Sequence, residues 1–163
     1  MEDTSIRLIG PEELDLVEPL WNALREHHAS VAPGLGRPRP RGESWERRRS
    51  QYARWLREPD SFILLAERRG EAIGYAMVHL REGSPTWPLG EQTGELETLS
   101  VLPGLRGQGV GTALLEAVRR ELAVLHVSEL SLHVIATNED TVRFYERHGF
   151  ATLGLWMWAG ENA

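Results

Sequence analysis

The run Leu99 Ser100 Val101 Leu102 Pro103 Gly104 Leu105 Arg106 Gly107 Gln108 Gly109 Val110 Gly111 Thr112 turns a strand-like segment through glycines directly into a helix-like one, which is the layout of an anion site. The first N–H groups of a helix have no partner within it, and the aligned peptide dipoles put partial positive charge there, so a phosphate is stabilised at that end. Glycines at 107, 109 and 111 let the backbone approach closely and accept positive φ, and Arg106 adds a full charge. The same glycines also suit a tight turn that serves packing alone, and at this level both readings stand. Other phosphate loops fit worse. A Walker A loop requires lysine, whereas all 18 basic residues are arginine. A dinucleotide fingerprint requires G-x-G-x-x-G early in a β-α-β unit, whereas here the glycines run G-x-G-x-G and come late, after an apparent hairpin.

Few other residues offer chemistry. Glu95 and Glu97 precede the loop on a strand, and the two-residue period puts them on one face unless a bulge intervenes. Either could accept a proton, and either could equally be a solvated carboxylate. No cysteine or lysine is present, which removes thiolate nucleophiles, disulfides and Schiff-base chemistry. Of the six histidines, His27 and His28 are adjacent and no H-E-x-x-H occurs, so no metal is expected. Arg47, Arg48 and Arg49 read as a solvated helix face.

These groups must be held by flanking elements. Residues 5–9 alternate as a short strand, and Pro11 opens a helical run with Leu14, Val17, Leu20, Trp21 and Leu24 on one face. Residues 31–42, VAPGLGRPRPRG, form a loop, and a helix follows over 43–57 with Trp45, Tyr52, Trp55 and Leu56 as its apolar residues and Pro59 as its stop. Residues 61–68 and 72–80 make a hairpin about Arg69 Gly70 Glu71, 83–93 a loop, and 94–101 a strand. Val110, Leu114, Val118 and Leu122 mark a helix over 109–125. A strand over 129–135, a helix over 138–148 closed by Gly149, and one or two strands within 150–159 complete the order. This is an α/β arrangement, one domain of mixed sheet with helices on its faces. The six tryptophans are mostly core residues by default, although Trp156 and Trp158, alternating with Leu155 and Met157, suggest either a substrate wall or a sheet edge that forms a homodimer.

Arg106, Gly109 and Gly111 match the Q/R-x-x-G-x-G/A loop of the GCN5-related N-acetyltransferase superfamily, which the chain resembles. Val101 Leu102 Pro103 matches the V-x-P lead-in, and Asn138, Tyr145 and the Gly149 Phe150 pair follow in the family's order. The resemblance covers about residues 5–159 and is specific over 95–150. It implies a central, mostly antiparallel sheet with helices on both faces and a splay between the fourth and fifth strands. It also implies acetyl-CoA as co-substrate, with pantetheine pairing to Leu99, Ser100 and Val101 as an added strand. Amides of Arg106, Gly107, Gln108, Gly109, Val110, Gly111 and Thr112 would hold the pyrophosphate, and the Leu99 N–H would face the developing oxyanion. Direct attack by an amine is implied, with Glu95 standing where some members keep a catalytic glutamate and Tyr145 protonating the departing thiolate. Tyr145 could otherwise be a helix residue packed with Val142 and Phe144, and Asn138, implied to contact the cofactor, could be a plain N-cap. A non-catalytic acyl-CoA sensor is the alternative from another class.

Length and charge bound the partners. At 163 residues and 41% hydrophobic content the chain suits one core, and its net charge of -6 speaks against a nucleic-acid partner and suits a cationic amine. No apolar run nears the ~20 residues of a membrane span, so neither a membrane partner nor a leader is expected and cytoplasmic is the simplest location. The family resemblance further implies that residues 14–57, 84–93 and 151–159 choose the acceptor, and they carry no motif.

Overall fold

Five strands form one sheet in chain order, as the computed structural model of residues 4–160 shows: β1 (Thr4–Ile9), β2 (Phe62–Arg68), β3 (Glu71–Glu82), β4 (Gln92–Val101) and β5 (Leu130–Leu132). Strands β1 to β4 pair antiparallel, and β4 with β5 parallel. A parallel pair cannot be joined by a tight turn, and helix α3 (Val110–Val124) supplies the crossover.

The unbroken apolar run of β2 follows from burial on both faces. Ile63 and Leu65 point into a core closed by the 3-10 turn Pro11–Val17, α1 (Glu18–Val31) and α2 (Arg41–Trp55), with Leu14, Val17, Leu20, Trp45 and Tyr52 as the helical contribution. Phe62, Leu64 and Ala66 point into a second core closed by α3 and α4 (Glu139–Arg147) through Val110, Leu114, Leu115, Val118, Leu122 and Tyr145. The layering is therefore helices, sheet, helices.

Two bulges interrupt the alternation. Ala66 pairs with Gly74 and Glu67 with Ala72, which leaves Ile73 as an extra residue on β3 and sends it to the same side as Ala76 and Val78. Met77 pairs with Thr98 and Val78 with Leu96, which makes Glu97 the extra residue on β4.

The pairing of β4 with β5 covers only Gly94–Leu96 and Leu130–Leu132, although β4 continues to Val101. Among the described residues, Glu97–Val101 thus have no strand on their β5 side, and this is the splay between the fourth and fifth strands. Several expectations need correction. The strand expected over 129–135 is three residues long, because the chain leaves β4 after Leu132. Residues 150–159 form no strand, since none of them pairs with a strand and 151–159 lie exposed. The helix expected from Pro11 begins as a 3-10 turn, and Trp87 is exposed instead of buried in a core; Trp156 and Trp158 are exposed as well.

Candidate active site

Strand β4 ends in a short 3-10 turn, Pro103–Leu105, and the chain enters α3 through Arg106–Gly109. Gly107 and Gly109 have φ of 75° and 84°, a region that side chains with a Cβ rarely adopt, so glycine is required at both by the backbone path. Gly111 is different. It lies inside α3 without a positive φ, and an added Cβ would meet the Phe144 ring at 3.5 Å, an ordinary contact, so neither the backbone nor the packing requires glycine there. The Ala113 N–H makes the first helical bond, to the Gly109 carbonyl at 2.9 Å, and by helix geometry the amides of Val110, Gly111 and Thr112 have no helical acceptor.

The loop's side chains are drawn into local bonds. Arg106 Nε donates to the Val101 carbonyl at 3.3 Å. Gln108 bridges Arg68 and the Gly104 carbonyl, and Thr112 Oγ1 meets His148 Nε2 at 3.1 Å, tying α3 to the end of α4. What the loop offers an anion is therefore chiefly main chain, and Arg106 remains exposed beside it. On β4, Leu99 and Val101 pack toward the α3 core, and Ser100 Oγ donates to the Leu20 carbonyl of α1 at 3.1 Å.

The bulge at Glu97 decides the geometry of the carboxylates. Thr98 bonds Tyr52 of α2, and Glu97, the extra residue, turns to that same side, where Arg48 Nη1 donates to it at 2.9 Å. Glu95 is 5% exposed and accepts from Arg81, with His133 Nδ1 at 3.1 Å on its other oxygen. Between the carboxylates lies His79, whose Nε2 is 3.6 Å from Glu97 and 4.0 Å from Glu95. Its ring stacks on Trp55 at 4.3 Å and 5°. Burial pushes the Glu95 carboxyl up, but Arg81, then His79 and His133, outweigh it and hold the group below its ordinary range. His79, Glu95 and Glu97 present donor atoms within 4.8 Å of one another, a set that could receive a divalent cation, although two guanidinium groups already bond the carboxylates.

Beneath the cluster is a buried polar chain. The Tyr52 hydroxyl meets Thr98 Oγ1 at 2.5 Å and the Tyr75 hydroxyl at 3.1 Å, and burial raises both phenols above their ordinary range.

Tyr145 sits on the opposite side of the sheet, in the α3 core, edge-on to Phe144 at 5.2 Å and Phe150 at 5.4 Å. Its hydroxyl has no hydrogen-bond partner among the described residues, and burial raises its pKa. Asn138 is buried. Its side chain does not cap α4, contrary to the N-cap alternative, and Oδ1 instead lies 3.3 Å from His27 Nε2 of α1. Burial holds His28 below the ordinary histidine range, with His27, Arg48 and Arg106 adding to the effect.

Two site residues were missed in sequence, and signals for both exist. Arg48 belongs with Trp45, Tyr52 and Trp55 on one helical stripe, and it lies 4.4 Å over the Trp21 ring, while Arg47 and Arg49 face solvent. The reading of all three arginines as a solvated face thus fails at Arg48. His79 continues the row Tyr75, Met77 on β3.

The profile of the Acetyltransferase (GNAT) family matches residues 21–150. A protein of Streptomyces avermitilis named mycothiol acetyltransferase is 40% identical over 97 residues, covering 58% of this chain and 28% of that protein. One of the same name from Acidothermus cellulolyticus is 33% identical over 164 residues, covering 94% of this chain and 46% of the relative. The chain thus spans between about a quarter and a half of the length of these relatives. An aminoglycoside N-acetyltransferase solved in complex with CoA superposes with a TM-score of 0.71 at 19% identity, over 99% of this chain and 96% of that one, and so shares the fold.

Proposed function

Since the chain belongs to the acetyltransferase (GNAT) family, we propose that it moves an acetyl group from acetyl-CoA to an amine by direct attack in a ternary complex. The observation that carries this reading is the junction of β4 and α3, where an unpaired strand edge runs into a positive-φ glycine loop that opens a helix. Pantetheine extends the sheet along Leu99, Ser100 and Val101, and the amides of residues 106–112, with the Arg106 side chain, hold the pyrophosphate. The Leu99 N–H donates to the thioester oxygen as it gains charge. Asn138 adds a contact to the cofactor from the start of α4.

The amine nitrogen bonds to the thioester carbon, the C–S bond breaks and coenzyme A leaves as thiolate. An alkylammonium of pKa near ~10 must first lose a proton. The cluster of Glu95, Glu97 and His79 draws the cation and accepts that proton, with Glu95 kept charged by Arg81 and His79 placed to pass the proton outward. Tyr145 stays protonated through the neutral range because it is buried, and it donates a hydrogen bond to the departing sulfur. Its raised pKa makes complete transfer uphill, so solvent supplies the final proton.

Acetyl-CoA binding by calorimetry, together with thiol release across a panel of amines, tests this reading. Binding with thiol release is the expected result. Binding with no release for any amine would support an acyl-CoA sensor, and no binding by folded protein would end the proposal.

A further inference from the structure

Each carboxylate of the cluster already has a guanidinium. Arg48 donates to Glu97 and Arg81 to Glu95, so the charges of these two pairs balance. The pairs differ in setting. Arg81 is largely exposed, whereas Arg48 and Glu97 are 20% and 24% exposed and are held in place. The Arg48 guanidinium lies 4.4 Å over the Trp21 ring and 5.4 Å from the centre of the Tyr52 ring, and aromatic faces attract a cation without giving its N–H groups a conventional acceptor.

Among the described residues, the one hydrogen bond of Arg48 runs from Nη1 to Glu97. A guanidinium carries five N–H groups in a planar fork that matches an acid group, so most of this fork is left unused by the protein. His28 stands two turns along α1 from Trp21, on the same stripe. Burial, and after it the charges of His27, Arg48 and Arg106, disfavour its protonation, which leaves it a neutral N–H donor in the same positive surroundings.

This balance restricts the acceptor. An acceptor with ammonium groups alone would add a positive charge to a carboxylate whose guanidinium stays in contact. Taking Glu97 away from Arg48 would leave that guanidinium partly buried without a counter-charge. An acceptor with an acid group a few bonds from its amine avoids both, because its ammonium meets Glu97, its acid takes the open fork of Arg48, and every charge keeps an opposite neighbour.

We infer that the acceptor is a small zwitterion, an amine with a carboxylate or phosphonate close to the nitrogen, and that Arg48 is the residue that selects it. The spacing follows from the pair itself: Arg48 Nη1 is 2.9 Å from Glu97, so the two acceptor charges must also be near neighbours, as in an α- or β-amino acid. Polyamines, aminosugars and the lysine side chains of proteins do not meet this condition. The inference rests on the acetyl transfer proposed above and narrows it to one acceptor class.

Matched acceptors test this on the full chain with acetyl-CoA. Thiol release is measured for each free amino acid beside its amide, the amine that lacks the acid, and its phosphonate analogue, with polyamines and aminosugars as the cationic arm. The expected result is a kcat/KM for the best zwitterion about 10- to 100-fold above that of its own amide, the range of a hydrogen bond to a charged group. Preference for either acid over the amide supports the proposal, and the faster acid identifies the group bound. Arg48→Met should bring the ratio close to one, and Arg48→Lys, which keeps the charge without the fork, should leave an intermediate ratio. Because the ratio compares two acceptors on one protein, partial loss of folded material does not move it, and the wild-type ratio stands as a test by itself. Faster turnover of amides, polyamines or aminosugars, or a zwitterion preference that Arg48→Met leaves intact, would overturn the inference while acetyl transfer stands. Thiol release with no amine at all would remove both.

Discussion

The two faces of the sheet are built differently. Beneath α3 and α4 the packing is almost wholly apolar, with Tyr145 as the polar exception. On the side of α1 and α2, Thr98, Ser100, Tyr52 and Tyr75 form buried hydrogen bonds, and Glu97 and Arg48 pair at the rim. In the proposed reading, a cofactor that offers phosphates and an amide arm is held by main chain, which every residue carries, so its side of the molecule needs only glycines and a helix start. An amine acceptor must be attracted, stripped of a proton and oriented, and that takes particular side chains.

The sharpest test of this division is Tyr145→Phe, which removes one hydroxyl from the apolar side. Turnover should fall about 10²–10³-fold while acetyl-CoA affinity, measured by calorimetry, changes little; equal losses in both would make Tyr145 a binding residue. Next comes Leu114→Ala, within the α3 core, which should cost about 2–5 kcal/mol in urea unfolding because it empties a fully buried site. Tyr52→Phe on the other face should cost less, about 1–3 kcal/mol, by leaving Thr98 and Tyr75 short of a partner. If the tyrosine proved the costlier of the two, the polar face would be the structural one and the comparison would reverse.

The smallest effect concerns pH. Glu95 has its carboxyl held below the ordinary range by Arg81, so its contribution to stability is present above the unfolded carboxylate value of about 4.3 and is lost as pH falls through the lower folded value. Arg81 is more than half exposed, and Arg81→Met should lower stability at neutral pH by about 1 kcal/mol or less. The difference between variant and wild type should shrink below about pH 4, as thermal melts across pH would record.

Much of the fold was legible in sequence. The hairpin about Gly70, the helix from Val110 and the glycine loop all rest on interactions between near neighbours, and they appear within a few residues of where the sequence puts them. The strand over 150–159 was not legible in the same way: its alternation is real, but a strand also needs a partner, and none lies within the described chain. At the site, Glu95 and Glu97 were visible as candidates, whereas the histidine between them was not, because alternation gives a face but not what stands opposite it.

By itself, then, the sequence determined the glycine loop at the start of α3, since the sign of φ at Gly107 and Gly109 and the free amides of a helix start are properties of a few consecutive residues. Only the tertiary structure decided how the carboxylates are used. A bulge created by the pairing of β3 with β4 turns Glu97 toward α2, and Arg48, 49 positions away in the chain, meets it there. Contacts between residues so far apart depend on how the helices seat on the sheet, which no local pattern encodes.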